Sequence, residues 1–205
     1  MSEPCPLTRI ILASASPRRL ELLRSLGLDV EVAPSGYHEP DSPQLTPAEL
    51  AVAHAREKLA AAIAKIGDSA VPVVAADTVV DVDGAALNKP ADEADAVRML
   101  SVLSGREHLV HTAFALAVPG GETINERSTT VVRFYRLTPD EIGDYVATGE
   151  PLDKAGAYGI QGLAAALVES IMGDFYTVMG FPLARFVRTL RRLGFALPLP
   201  KNQIT

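Results

Sequence analysis

Cysteine is nearly absent from this sequence: one thiol, Cys5, stands near the start of 205 residues. An intramolecular disulfide and a cysteine-based zinc site are therefore excluded, which fits a reducing cytoplasm. Long apolar runs are missing too. No stretch of about 18 uncharged apolar residues occurs, and the alanine-rich run from Leu59 to Ala76 is interrupted by Lys65 and Asp68. The opening "MSEPCPLTR" lacks the apolar segment of a signal peptide. A soluble, cytoplasmic protein with no membrane partner is expected. There is no Walker loop G-x-x-x-x-G-K-[ST] and no H-E-x-x-H pair. Basic residues are outnumbered 19 to 25, for a net charge of -6, whereas a general nucleic-acid binder leans basic. An anionic ligand must then be held by a local cluster of cations or through a metal ion.

What is present suits a packed core. Hydrophobic residues make up 48% and charged residues 21%, a balance that argues against disorder. No internal repeat or linker is apparent, so residues 1–205 read as a single unit. "RIILA" from Arg9 and "DVEVA" from Asp29 read as strands, with a helix from Pro17 to Leu26 between them. Thr46-Pro47-Ala48-Glu49 and Thr138-Pro139-Asp140-Glu141 are capping boxes that open helices. "VPVVAA", Val71 to Ala76, is the most apolar strand and the expected centre of the sheet. Asp83-Gly84 is a two-residue hairpin turn. Further helices are expected over Asp92–Ser104 and Pro182–Leu193, and a strand over Leu163–Glu169. The mixture, with antiparallel hairpins, predicts an α/β fold with a mixed sheet.

The stretch "SASPRRLELL" carries the first chemical signal. Ser16 is an N-cap candidate and Pro17 suits the first turn. Arg18 and Arg19 then occupy the positive pole of a helix, where a cation is disfavoured by roughly 0.3–1 kcal/mol. A bound polyphosphate reverses that penalty. The hydroxyl of Ser14, the free N–H groups of the helix start and two guanidinium forks together make an anion site. Asp77 ends the apolar strand in this reading, at the edge where α/β sheets place ligands. If the hairpin ladder continues, Thr78 faces Lys89 and Asp77 lies diagonal to it. A carboxylate, a hydroxyl and an ammonium there could bind a metal–phosphate pair. Lys58 follows His54 by one helical turn. "GEPLDKAGAYGIQG" is glycine-rich, and its Gln161 offers an amide able to read a base edge. The histidines, His38, His54, His108 and His111, read as structural.

Together these segments resemble the Maf family of nucleoside triphosphate pyrophosphatases. The likeness runs from "LASASPRR" through "AADTVV" and "NKP" to "DKAGAYGIQG" and "GDFYTVMGFPL". It implies a two-lobed α/β fold with a central cleft, similar to inosine triphosphate pyrophosphatases. It implies a cytoplasmic, commonly homodimeric enzyme that uses a divalent cation, Mg2+ or Mn2+, to split a nucleoside triphosphate into monophosphate and pyrophosphate. By position, Asp77 matches the catalytic acid, as base, metal ligand or both, and Glu39 matches a second acid of the cleft and candidate metal ligand. Ser14, Arg19, Lys58 and Lys89 match the phosphate site. Arg18, Thr78 and Gln161 match the marks of the dTTP/UTP subgroup; the 7-methyl-GTP subgroup typically carries Trp, Gln and Glu there. "SAS" stands where "SGS" or "STS" is more usual. A non-enzymatic nucleotide-sensing regulator of cell division is the rival class, favoured by nucleotide binding with no turnover under any cation. A 7-methyl-GTP-type pyrophosphatase is a third reading, and a substrate panel separates the two enzyme readings.

Overall fold

The computed structural model describes residues 4–40 and 42–197. A short strand β1 (Cys5–Pro6) leads to β2 (Arg9–Leu12), helix α1 (Pro17–Arg24) and β3 (Asp29–Val32). β2 and β3 pair in parallel, as a strand–helix–strand crossover requires. The long helix α2 (Pro47–Ile66) follows. Its start is fixed by the predicted box, with the Thr46 side chain accepting from the Glu49 N–H and Glu49 accepting from the Thr46 N–H at 2.9 Å.

β4 (Val73–Val82) is the hub of the sheet. Its first residues pair in parallel with β2, and its whole other edge pairs antiparallel with β6 (Glu107–Ala117). Beyond the Asp83-Gly84 turn, β5 (Ala85–Leu87) folds back on β4 through Val82–Ala85 and Val80–Leu87. Helix α3 (Glu93–Leu103) precedes β6, and β7 (Ile124–Phe134) pairs with β6. Helix α4 (Pro139–Ala147), three short 3-10 turns, β8 (Val168–Met172), the short helix α5 (Phe175–Met179), helix α6 (Leu183–Arg192) and β9 (Phe195–Ala196) complete the order. β9 pairs with β1, and the main sheet runs β3-β2-β4-β6-β7-β8. The mixed α/β sheet is as expected.

Alternation along β4 divides two cores. Val73, Ala75 and Val79 pack against Leu50, Ala51, Ala55, Leu59 and Ala62 of α2. Val74, Ala76, Val80 and Val82 face the larger core with Phe114, Phe134, Phe181 and Phe186. The small alanines on the first face let α2 lie close to the sheet. No helix among the described residues is long and apolar enough to cross a membrane.

Three expectations need correction. The central strand does not end before Asp77 but continues to Val82, because β6 supplies a hydrogen-bonding partner along its length. The hairpin ladder stops at Leu87, so residues 77 and 78 pair with Ala113 and Thr112 rather than with residues 90 and 89. Leu163–Leu167 is a 3-10 turn, and only from Val168 does the chain become a strand. The Glu150 carboxylate explains the last point: it accepts from the Leu163 N–H at 2.9 Å and caps the turn from outside.

Candidate active site

On one edge of β4 the partner changes from β2 to β5, and the residues between lack a strand neighbour there. A cavity of about 470 Å3 opens at this gap. Ser14, Arg18, Arg19, Glu39, Lys58, Asp77, Thr78, Lys89 and Gln161 all line it. Every candidate site residue read from the sequence is therefore brought to one cleft, from six separate stretches of chain.

Alternation places the two key β4 residues on opposite faces. Asp77 shares the face covered by α2, and Lys58 of α2 reaches it with Nζ 2.5 Å from Oδ1. The same ammonium lies 2.6 Å from Glu39 Oε1, so one cation bridges two carboxylates. Burial alone would raise the Glu39 carboxyl. The hydrogen bond and charge of Lys58, with His54 and Lys89 farther off, carry it below its ordinary value instead. Lys89 thus faces the acids without standing in the ladder.

Thr78, on the other face, meets Arg19. The Arg19 guanidinium donates from Nε to the Gly180 carbonyl at 2.9 Å, from one terminal nitrogen to Ser14 Oγ at 3.3 Å and from the other to Thr78 Oγ1 at 3.2 Å. Burial pulls its pKa down, and the nearby Asp77 opposes that pull. Ser14 Oγ also accepts from the Ser16 N–H at 3.2 Å. Ser16 is the N-cap, but its own side chain makes no capping bond. The helix start therefore offers donors and carries no acid in its first turn, the arrangement of an anion site.

The far wall is the loop after α4. Arg18 lies 3.9 Å from Asp153, whose carboxylate also accepts from Lys154 Nζ at 2.6 Å. The Glu150 carboxylate ties the loop together: it accepts from Tyr145 Oη and the Leu163 N–H, each at 2.9 Å. A side chain at Gly162 would run into that carboxylate and push it from these bonds. Gln161 sits in the span so held. Tyr158, Ile160, Val80, Val110 and Met179 give the cleft an apolar flank beside its charged one.

The cleft thus joins a helix start rich in free donors, a bridged acid pair and a clamped glycine-rich loop. The Maf-like protein family model covers residues 9–193. The chain belongs to the Maf family. A dTTP/UTP pyrophosphatase of Symbiobacterium thermophilum is 48% identical over 191 residues, spanning 93% of this chain and 97% of that one. One from Thermococcus gammatolerans is 47% identical, spanning 91% and 97%. One from Thermus thermophilus is 49% identical, spanning 91% and 95%. A solved HAM1 protein from Coxiella burnetii superposes loosely, with TM-score 0.49 and 19% identity over 91% of this chain and 100% of that one.

The Maf cleft fits a phosphate-assisted divalent cation rather than a dedicated cage. Among the described residues there is no group of three or more His, Cys, Asp or Glu that could hold a metal. Asp77 and Glu39 supply two hard carboxylates, and their shared ammonium already marks a cation position between them. Magnesium is commonly held by one or two carboxylates with the substrate's phosphates completing its shell.

Three histidines of this Maf chain have defined surroundings. His54 lines the cavity beside Tyr37, at 3.5 Å. His111 lies between Asp81 and Thr129 at 3.1 and 2.9 Å. His108 is buried against Phe134 and meets Tyr158 Oη at 2.8 Å. Sequence reasoning missed Thr112, Thr177 and Gly180, which hold the Arg19 side of the Maf cleft. A threonine in a strand carries no signal beyond β propensity.

Proposed function

We propose that this Maf-family chain hydrolyses dTTP and UTP to the monophosphate and pyrophosphate. The observation that carries the reading is the meeting of Arg18, Arg19, Lys58 and Lys89 with Asp77 in one cleft, in a protein of net charge -6. The names of its relatives support the pyrimidine class over the 7-methyl-GTP class, as do Arg18, Thr78 and Gln161.

In this reading the triphosphate lies along the charged flank. The α1 N–H groups, Ser14 and Arg19 hold its oxygens. Arg18, Lys58 and Lys89 offset charge that builds on the departing pyrophosphate. Asp77 accepts a proton from the water whose oxygen bonds to the α-phosphorus, as the bond from that phosphorus to the bridging oxygen breaks. Asp77 and Glu39 would hold Mg2+ or Mn2+, which when bound neutralises phosphate charge and acidifies water. Gln161 reads the base edge, and a wrong base leaves its amide unpaired, which discriminates strongly. A cytoplasmic setting and a homodimer belong to the same proposal through the family resemblance. Light scattering on the purified protein tests the dimer.

The test is pyrophosphate release from dTTP, UTP and other triphosphates with Mg2+ or Mn2+. The reading expects the two pyrimidine nucleotides to be the best substrates, and oxygen-18 water to label the monophosphate alone. Binding without turnover under either cation contradicts it.

A further inference from the structure

Thr112 is wholly buried in the middle of β6, directly opposite Thr78 on β4. Its hydroxyl donates to the Thr177 carbonyl at 2.7 Å. A hydroxyl has one hydrogen, so Thr112 has none left for Thr78, whose Oγ1 lies 3.0 Å away. Thr78 must then be the donor in that pair. Its own oxygen is left to accept, and Arg19 donates to it at 3.2 Å. The direction of the whole chain is thereby fixed: Arg19 to Thr78 to Thr112 to the Thr177 carbonyl.

The far end of the chain folds back on the same arginine. Thr177 lies in α5, and Gly180, just past that helix, accepts from Arg19 Nε at 2.9 Å. Gly180 has φ +110°, and a Cβ there would stand 3.4 Å from Thr78 Oγ1 and 3.8 Å from Arg19 Nε. The segment is anchored by a second strand threonine: Thr130 Oγ1 donates to the Asp174 carbonyl at 2.9 Å and accepts from the Asp174 N–H at 3.0 Å. Arg19 spends three of its five N–H bonds on this frame. The remaining two have no partner among the described residues and are left for a ligand.

We infer that Thr112 is a positioning residue for the phosphate-binding arginine: by donating to Thr177 it forces Thr78 to present a lone pair to Arg19, and so orients the guanidinium toward the cleft. Thr78 then acts on the substrate through Arg19, its single hydrogen already committed. The inference deepens the proposed pyrophosphatase reading and rests on Arg19 meeting phosphate.

The test is a double-mutant cycle read by calorimetric titration with inorganic tripolyphosphate, which needs no turnover. Thr112→Val keeps the shape and removes the hydroxyl. It is expected to weaken tripolyphosphate binding about tenfold, the scale of one charge-assisted hydrogen bond. In an Arg19→Met background the same change is expected to cost less than about twofold. Thr112→Ser restores binding to near the parent's. Thr78→Val, which breaks the chain from the cleft side, shows the same dependence on Arg19 and stands in if Thr112→Val does not fold. An equal loss in both backgrounds, failure of serine to rescue, or no binding by the parent overturns the inference. Tripolyphosphate binding with the expected cycle, but no release of pyrophosphate from dTTP or UTP, overturns the pyrophosphatase reading alone.

Discussion

Lys58 Nζ stands 2.5 Å from Asp77 Oδ1, and both side chains are largely shielded from water, at 13% and 7% exposure. The pair joins helix α2 to the middle of β4. Glu39 completes it from the loop after β3 at 2.6 Å. The ammonium serves as an internal counter-ion that holds the two acids close together.

Lys58→Met removes that counter-ion from the nearly buried Asp77. Breaking one side of a buried pair costs about 3–5 kcal/mol, so the melting temperature should fall clearly in a chelator-treated sample. Mn2+ should restore more of the lost stability in the variant than it adds to the parent, because the vacated carboxylates accept it. Differential scanning calorimetry with and without Mn2+ checks this. Equal Mn2+ effects on both proteins would separate Lys58 from the cation position.

His108 makes the fold sensitive to mild acid. Burial lowers its pKa from 6.5 to about 4, so the folded protein holds the neutral ring. The unfolded chain takes up a proton below 6.5 that the folded one refuses. The contribution is whole above 6.5 and drains away as the pH falls toward 4, by about 3 kcal/mol in total. His108→Gln does not titrate and can still pair with the Tyr158 hydroxyl. Denaturant unfolding across this range should show the parent losing stability relative to the variant. Parallel curves would place the acid sensitivity elsewhere.

Glu150 should govern substrate affinity without touching substrate. Its carboxylate holds the turn after Gln161, and Tyr145 relays it to the Gly159 N–H at 3.3 Å. Glu150→Ala frees both sides of Gln161. For dTTP and UTP, KM should rise about tenfold, on the scale of one or two hydrogen bonds, with kcat less affected. Glu150→Gln, which keeps an acceptor, should lie between parent and alanine variant. Steady-state kinetics decide it.

Much of this was legible in the residues because it is local. The two capping boxes start α2 and α4 where Thr46 and Thr138 stand, and Asp83-Gly84 turns the hairpin. The two arginines at the start of α1 stood out in the sequence, and both line the cleft. The missed features depend on register and on distant partners. No pattern within β4 tells that β6 extends it past Asp77, or that Thr112 comes to lie opposite Thr78. The apolar run from Leu163 reads as a strand until the Glu150 carboxylate, from the start of the glycine-rich loop, is found capping it.

Asp77 is the residue on which the account turns. The rate of pyrophosphate release from dTTP and UTP, with Mg2+ or Mn2+ saturating, should be measured for Asp77→Asn beside the parent. Loss of a positioned proton acceptor should lower kcat by about a hundredfold or more, with the variant still folded by calorimetry. A folded variant that releases pyrophosphate at near the parental rate would remove Asp77 from the chemistry and contradict the account.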